Sequence, residues 1–183
     1  MTLSLPREPG IPWFPQEAPK HVEQLDSALD AVGPAVEAVC SAICRRSDGS
    51  EQAAVDDLRI ALTEGITNVI EHAYASERGH PVSVALWFDG GAATVCILDE
   101  GGPLPQSIIE VLRETVVDLQ EPGDDPVSGD GVLLGPDLAV AIDELPEGGW
   151  GWMLIRQSVD RIHYRRADNR NHLFLQKRLV AIP

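Results

Sequence analysis

Aromatic residues, cysteines and positive charges are all scarce in this chain of 183 residues. Phe, Trp and Tyr make up 5% of it, and its three cysteines are too few for a disulfide framework in a chain of this size. The 14 Lys and Arg residues are outnumbered by 29 Asp and Glu residues, which gives a formal net charge of −15. Because non-specific nucleic-acid binding needs a cationic surface, this charge argues against direct contact with nucleic acid.

Long apolar runs are also missing. No stretch approaches the length of a membrane span, and residues 1–16 contain no apolar signal core, so we expect a cytoplasmic protein without a membrane partner. Cys40 and Cys44 lie one helical turn apart, which would suit either a metal or redox pair or two small core residues. We favour the core interpretation, since no other Cys or clustered His completes a metal site.

What the chain does have is 44% apolar residues, enough for the core of one domain. A proline-rich arm at 1–19 precedes a single domain at 20–183. Apolar residues recur at helical spacing in four segments, 21–45, 51–75, 108–119 and 153–162, the first with a break or restart at Gly33 and Pro34. Strand-like runs lie at 82–88, 92–98, 162–166 and 172–179. A glycine-rich lid insertion occupies about 121–149. This order predicts an α+β fold, a mostly antiparallel sheet with helices on one face.

The helix predicted at 51–75 carries a polar strip opposite its apolar stripe. Glu64, Asn68 and His72 follow one another at i+4 spacing, so they stack along one face of the helix. A carboxylate can take a proton from a hydroxyl or a water, and an amide oxygen is a suitable ligand for Mg²⁺. A solvated polar face is the plainer alternative for these residues.

Two glycine-containing segments add to this strip. Asp99 ends a predicted buried strand and is followed by Gly101, Gly102 and Pro103, an arrangement that lets a flat ring approach the backbone while the carboxylate accepts a hydrogen bond from an exocyclic amine. Gly149 and Gly151 open the predicted helix at 153–162, and the N–H groups at a helix start can bind phosphate. Each segment alone is also compatible with a simple turn.

Taken together, the three segments resemble a known set of motifs. The order E-x-x-x-N-x-x-x-H-x-Y (from Glu64 to Tyr74), D-x-G-x-P and G-x-G-x-x-L-I is similar to the N box and the two glycine boxes of the GHKL ATPases. The form of the first motif, with Met153-Leu-Ile-Arg156 after the last, resembles the anti-sigma-factor serine/threonine kinases within that superfamily. The resemblance covers roughly residues 52–180.

The resemblance implies a Bergerat-type two-layer sandwich that binds ATP and Mg²⁺. Asn68 would coordinate the metal ion, and Glu64 would be the general base that activates a serine or threonine hydroxyl. Asp99 would bind the adenine amino group beside Gly101 and Pro103. Gly149 and Gly151 would approach the phosphates, and His72 and Tyr74 would support the site by packing.

Three functions follow from the resemblance as hypotheses. The first is a protein kinase that phosphorylates a STAS-type anti-sigma-factor antagonist, binds a sigma factor or similar regulator, and forms a homodimer. The second is a non-catalytic module of the same fold that sequesters a regulator, favoured by Trp150 and Trp152 beside the second glycine box. The third is a detached histidine-kinase catalytic domain, which is disfavoured because no preceding helix presents a phospho-acceptor histidine.

Overall fold

The computed structural model describes residues 17–46, 51–106, 108–109, 132–134 and 150–179. The predicted arm before residue 17, most of the predicted helix at 108–119, Gly149 and all of the lid insertion except 132–134 lie outside the described residues. No helix within the described ranges is long and apolar enough to cross a membrane.

Six strands form one sheet with the spatial order β1-β2-β3-β6-β5-β4, and every pairing recorded among them is antiparallel. The strands are β1 (His21–Asp26), β2 (Pro81–Asp89), β3 (Ala92–Asp99), β4 (Val132–Leu134), β5 (Arg161–Ala167) and β6 (Arg170–Arg178). The central position of β3, between β2 and β6, explains why all eight of its residues are buried.

Both predicted hairpins are confirmed. β2 and β3 are joined by Gly90 and Gly91, whose φ angles are 52° and 81°. β5 and β6 are joined by Asp168 and Asn169, with φ angles of 51° and 62°. Two consecutive residues with positive φ are what a tight two-residue hairpin turn requires, and Gly, Asn and Asp tolerate that conformation best.

Within the described ranges, three α-helices pack against one face of the sheet, as the α+β prediction expected. They are α1 (Leu29–Cys44), α2 (Gln52–Asn68) and α3 (Trp150–Ser158), and α2 runs directly into a π-helical turn at Val69–Ala73. The predicted apolar stripe of α2 is buried in one core with Val84, Ile97 and Leu175 of the sheet. A two-layer sandwich of helices on a sheet results.

The helix predicted from residue 21 was wrong at its beginning. His21–Asp26 forms the edge strand β1, paired with β2, and α1 starts only at Leu29. The side chains of β1 alternate between half-buried and exposed, and Val22 is on the exposed side. Six residues with two apolar positions fit a helix or an edge strand equally well, so pairing with β2 decides the outcome.

Two further boundaries differ from the predictions. Gly33 and Pro34 do not interrupt α1, which continues through both of them. The helix predicted at 153–162 begins at Trp150 and ends at Ser158, and Arg161 already belongs to β5. Gly151 therefore lies within the first turn of α3 rather than in a loop before it.

Candidate functional site

Helix α2 carries both the predicted polar strip and the face that packs against the sheet. Its sheet side is so close that a Cβ atom on Gly65 would lie 2.6 Å from Cδ1 of Ile97 in β3. Glu64 and Asn68 are half-buried, whereas His72, further along the same strip, is exposed. Only the first two residues of the predicted strip are therefore enclosed by the fold.

Gly151 of α3 lies directly against these two side chains. A Cβ atom on Gly151 would lie 2.9 Å from Oε2 of Glu64 and 3.3 Å from Oδ1 of Asn68. Any side chain at residue 151 would displace the carboxylate and the amide, so the absence of a side chain keeps both in place. The structure thus brings together the first predicted motif and the last.

Asn68 has an amide group that the protein does not satisfy. Its Nδ2 atom is buried and has no hydrogen-bond partner among the described residues. A buried amide donor without a partner costs free energy, about 1–3 kcal/mol, and such a group is often explained by a ligand or ion that the protein binds. The site at Asn68 is therefore suited to a polar ligand.

The π-helical turn after Asn68 holds the loop that follows β3. The carbonyl oxygen of Ala73 accepts a hydrogen bond from the Gly102 N–H at 2.7 Å. A Cβ atom on Gly101 would lie 2.6 Å from the same oxygen, so only glycine allows this approach. Short π-helical segments within α-helices occur frequently at functional sites.

Tyr74 ties the end of this turn to the sheet. Its buried hydroxyl donates to the Pro81 carbonyl at 2.8 Å and accepts from the Glu100 N–H at 2.8 Å. The ring also stacks on His80, with centroids 4.7 Å apart. The packing role that the resemblance implies for Tyr74 agrees with these contacts.

Asp99 is buried at the carboxyl end of β3, with 4% of its surface exposed. Its Oδ1 atom accepts hydrogen bonds from the Gly101 N–H at 2.9 Å and from Nδ2 of Asn171 at 2.7 Å. Burial raises the pKa of Asp99, and the hydrogen bonds from Asn171 and Gly101 and the charge of Arg166 act in the opposite direction. Both of these donors meet the same oxygen, and no hydrogen bond to Oδ2 is recorded among the described residues.

Three residues around Asp99 were not among the sequence-based candidates: Tyr164, Arg166 and Asn171. Asn171 lies opposite Asp99 in the register of β3 and β6, and Tyr164 and Arg166 reach it from β5. Nothing in the local sequence marks them as functional. Only the pairing of β6 with both β3 and β5 brings them to the carboxylate, so a prediction would have required the strand order.

The remaining candidates have simpler surroundings. Pro103 is exposed in the loop after β3. Trp150 is 53% exposed, but Trp152 is buried, so only one of the two tryptophans is available at the surface. Cys40 is buried in the hydrophobic core, which raises the pKa of its thiol to about 11. Cys44 is exposed, so the core interpretation agrees with the structure for Cys40 and was wrong for Cys44, which lies at the last residue of α1.

No group of three or more His, Cys, Asp and Glu side chains that could hold a metal ion occurs in the described parts of the chain. Mg²⁺ bound together with nucleotide phosphates needs only one or two protein groups, and the amide oxygen of Asn68 is the candidate for such a ligand here.

Comparison with known proteins identifies the arrangement. Residues 25–177 match the histidine kinase-like ATPase domain, and that range contains all three motifs. The chain belongs to this family of ATPase domains. Membership confirms the superfamily that the motifs resembled and agrees with the α+β sandwich.

Two relatives of this ATPase-domain chain are kinases by name. The serine-protein kinase RsbW of Bacillus pumilus is 28% identical over 111 residues, which cover 59% of this chain and 56% of the relative. The serine/threonine-protein kinase BtrW of Bordetella bronchiseptica is 27% identical over 124 residues, 64% of this chain and 69% of the relative. The match thus spans little more than half the length of the first relative.

Proposed function

We propose that this ATPase-domain chain is a Mg-ATP-dependent serine/threonine protein kinase of the anti-sigma-factor type. The observation that carries the proposal is that one helical element contacts both glycine segments. Gly151 lies against Glu64 and Asn68 of α2, and the Gly101–Gly102 loop lies against Ala73 of the following π-helical turn. Sequence-distant motifs thus meet in one site.

At the phosphate end of the site, the proposed ligand contacts follow from the side-chain chemistry. Asn68 would hold Mg²⁺ through its amide oxygen, while its unpartnered Nδ2 would donate to a phosphate oxygen. Mg-ATP would supply the phosphoryl group. Glu64, beside Asn68 at Gly151, would accept the proton of the attacking serine or threonine hydroxyl.

At the base end, Asp99 would accept a hydrogen bond from the exocyclic amine of adenine. Gly101 packs against the backbone of Ala73 because it lacks a side chain, and its N–H donates to Oδ1 of Asp99, so it would hold the carboxylate at the edge of the base pocket. Pro103 would border the same pocket. Gly149 would join Gly151 near the phosphates.

The proposed partners follow from the resemblance of the motifs to the anti-sigma-factor kinases. The two relatives, named as serine-protein and serine/threonine-protein kinases, support the kinase activity alone. We take the phosphate acceptor to be a STAS-type antagonist protein and the regulated partner to be a sigma factor or similar regulator. The chain would then regulate transcription in the cytoplasm through partner switching, as a homodimer, without touching nucleic acid. Its large negative charge agrees with the last point.

A second candidate is a binding module in which the bound nucleotide only orders the lid insertion. Trp150 and Leu154 lie one turn apart on α3 and are 53% and 38% exposed. Exposed tryptophan is typical of interaction surfaces. This module would bind a regulator through α3 and would transfer no phosphate.

Two variants separate ATP binding from phosphoryl transfer. We expect Asn68→Ala to weaken Mg-dependent ATP binding about tenfold or more in a calorimetric titration, the scale of one charge-assisted contact. We expect Glu64→Gln to bind Mg-ATP normally but to phosphorylate a STAS-type antagonist of the source organism about 10²–10⁴-fold more slowly.

Glu71→Gln is the matched control for Glu64→Gln, because Glu71 is an exposed carboxylate in the π-helical turn that continues α2. It should leave binding and transfer unchanged. Normal transfer by Glu64→Gln would contradict the assigned base, and Mg-ATP binding without transfer by the wild type would favour the binding module. No binding by the wild type at millimolar ATP would contradict both functions.

A further inference from the structure

Asn171, Tyr164 and Arg166 form a hydrogen-bonded group beside Asp99, which we call the amide clamp. Oδ1 of Asn171 accepts from the Tyr164 hydroxyl at 2.8 Å and from Nη1 of Arg166 at 2.6 Å. Nδ2 of Asn171 donates to Oδ1 of Asp99 at 2.7 Å and to the Gly102 carbonyl at 2.9 Å. Asn171 is buried, and its amide is fully hydrogen-bonded.

The chemistry of the neighbours fixes the orientation of this amide. Arg166 has only donors, so the oxygen of Asn171 must face it. The amide nitrogen is then forced toward Asp99 and Gly102, both of which offer acceptors. A rotated amide would place two donors together on one side and two acceptors on the other, at a cost in buried hydrogen bonds.

The clamp also fixes the loop after β3. Arg166 donates to the Gly101 carbonyl at 2.8 Å, and the Tyr164 hydroxyl accepts from the Leu104 N–H at 3.0 Å. Together with the bond from Asn171 to the Gly102 carbonyl, these contacts hold Gly101, Gly102 and Leu104 of the loop that follows Asp99. The loop and the carboxylate are therefore positioned by the β5–β6 hairpin as one unit.

We propose that Asn171 is a positioning residue for the nucleotide base: by occupying Oδ1 of Asp99 and the Gly102 carbonyl, it presents Oδ2 of Asp99 to an exocyclic amine. The inference rests on the proposed function. It adds that base recognition depends on a hairpin outside all three sequence motifs. The charged and titratable groups that act on Asp99 or lie around it are Cys96 of β3, Glu100 of the loop after it, Tyr74 directly after the π-helical turn, and Tyr164 and Arg166 of β5.

Asn171→Asp tests the inference with almost no change in shape. Calorimetric titrations compare ATP with ITP, in which a keto oxygen replaces the amine, so the ratio of the two affinities isolates the base contact from the phosphates. Wild type should prefer ATP. Near pH 8, Asn171→Asp should bind ATP about tenfold more weakly and lose most of that preference, because two carboxylates replace a donor–acceptor pair.

As the pH falls, the variant should recover. A protonated Asp at residue 171 donates to Asp99 as the amide does, so the affinity for ATP relative to wild type should rise toward acid pH. Comparison with wild type at each pH removes the titration of ATP itself. The ratio of ATP to ITP affinity should recover with it, whereas a merely structural role would change both affinities equally and leave that ratio unchanged.

Asn169→Asp is the control, since it adds the same charge to the exposed turn of the same hairpin. Arg166→Lys gives a second test: it keeps the charge but removes the guanidinium, whose Nη1 donates both to the Gly101 carbonyl and to Oδ1 of Asn171, and it should lower the ATP preference partially. The inference would be overturned if Asn171→Asp and Arg166→Lys both kept the wild-type ratio of ATP to ITP affinity. It would also be overturned if Asn171→Asp and Asn169→Asp lost the same amount of ATP affinity. Those outcomes would leave the proposed function intact, whereas wild type that binds neither nucleotide would end both.

Discussion

At the scale of single residues, the site depends on two glycines, one packed against flexible side chains and the other against backbone. Next to Gly151 are the ends of two flexible side chains, Glu64 and Asn68. Next to Gly101 is the backbone of Ala73, which cannot move without disturbing the turn after α2. The same substitution should therefore affect ligand binding at the first glycine and the fold at the second.

We expect Gly151→Ala to weaken Mg-ATP binding about tenfold while changing the free energy of unfolding by less than about 1 kcal/mol, because the two side chains can rotate away. Gly101→Ala should destabilise the fold by about 1–3 kcal/mol, since its methyl group meets backbone. Chemical denaturation and ATP titration measure the two effects.

Gly33→Ala provides the control for this pair. Gly33 lies inside α1, and a Cβ atom there would have nothing within 4 Å, so alanine should raise stability by about 0.5–1 kcal/mol through helix propensity alone. Unchanged ATP binding by a folded Gly151→Ala variant would contradict the close approach of α3 to Glu64 and Asn68.

At the scale of elements, the junction of α2, the π-helical turn and β2 organises the site. The turn ends at Ala73, and Ala75 and Ser76 then adopt φ angles of 50° and 63°, a conformation that side chains other than glycine rarely take. The chain has to reverse here within a few residues to enter β2. Tyr74, between the turn and these two residues, is hydrogen-bonded on both sides and stabilises the reversal.

Tyr74→Phe should therefore lower the free energy of unfolding by about 1–3 kcal/mol, because a partly buried backbone N–H and carbonyl both lose their partner. The ring and its stacking on His80 remain, so the loss reports the hydroxyl alone. The denaturation midpoint measures it, and a midpoint equal to that of wild type would show that water replaces the hydroxyl at both groups.

Some helices and strands can be predicted from their own residues, and others depend on residues elsewhere in the chain. The apolar stripe of α2 recurs over many turns and fixes its face, and the glycines after β2 fix the first hairpin, so both are predictable from sequence. β1 is short and half-exposed and depends on β2, which the sequence of residues 21–26 cannot reveal. Asn171 illustrates the same limit in the site, because its partner Asp99 is remote in sequence and is brought to it only by strand pairing.

At the scale of the whole molecule, charge is distributed unevenly. The formal net charge is −15, yet six of the 14 Lys and Arg residues lie on the β5–β6 hairpin. One of them, Arg166, lowers the pKa of Asp99 through its charge and binds the loop after β3. An acidic chain thereby keeps positive charge near the proposed base pocket, and buried backbone N–H groups and Mg²⁺ would offset the charge of the phosphates.

The buried charge of Asp99 should cost global stability, and the cost should depend on pH. Because burial raises the pKa of Asp99 above its usual 3.8, the folded protein holds the proton more tightly than the unfolded chain does. The stabilisation from the protonated form is complete below the unfolded-state pKa and is lost as pH rises through the folded-state pKa. Asp99→Asn removes this dependence and keeps an acceptor for Gly101, so at neutral pH the variant should be at least as stable as wild type.

Denaturation midpoints of both proteins, measured from about pH 8 down past the usual Asp value of 3.8 to about pH 3, test this expectation, with ATP binding measured at neutral pH. The stability difference should narrow as pH falls, while the Asp99→Asn variant should bind ATP more weakly at neutral pH. A variant that is less stable than wild type by the same amount at every pH would show that Asp99 contributes hydrogen bonds rather than a costly charge. Greater stability with weaker binding would instead show that the fold tolerates a buried carboxylate for the sake of its ligand, as expected where function opposes stability.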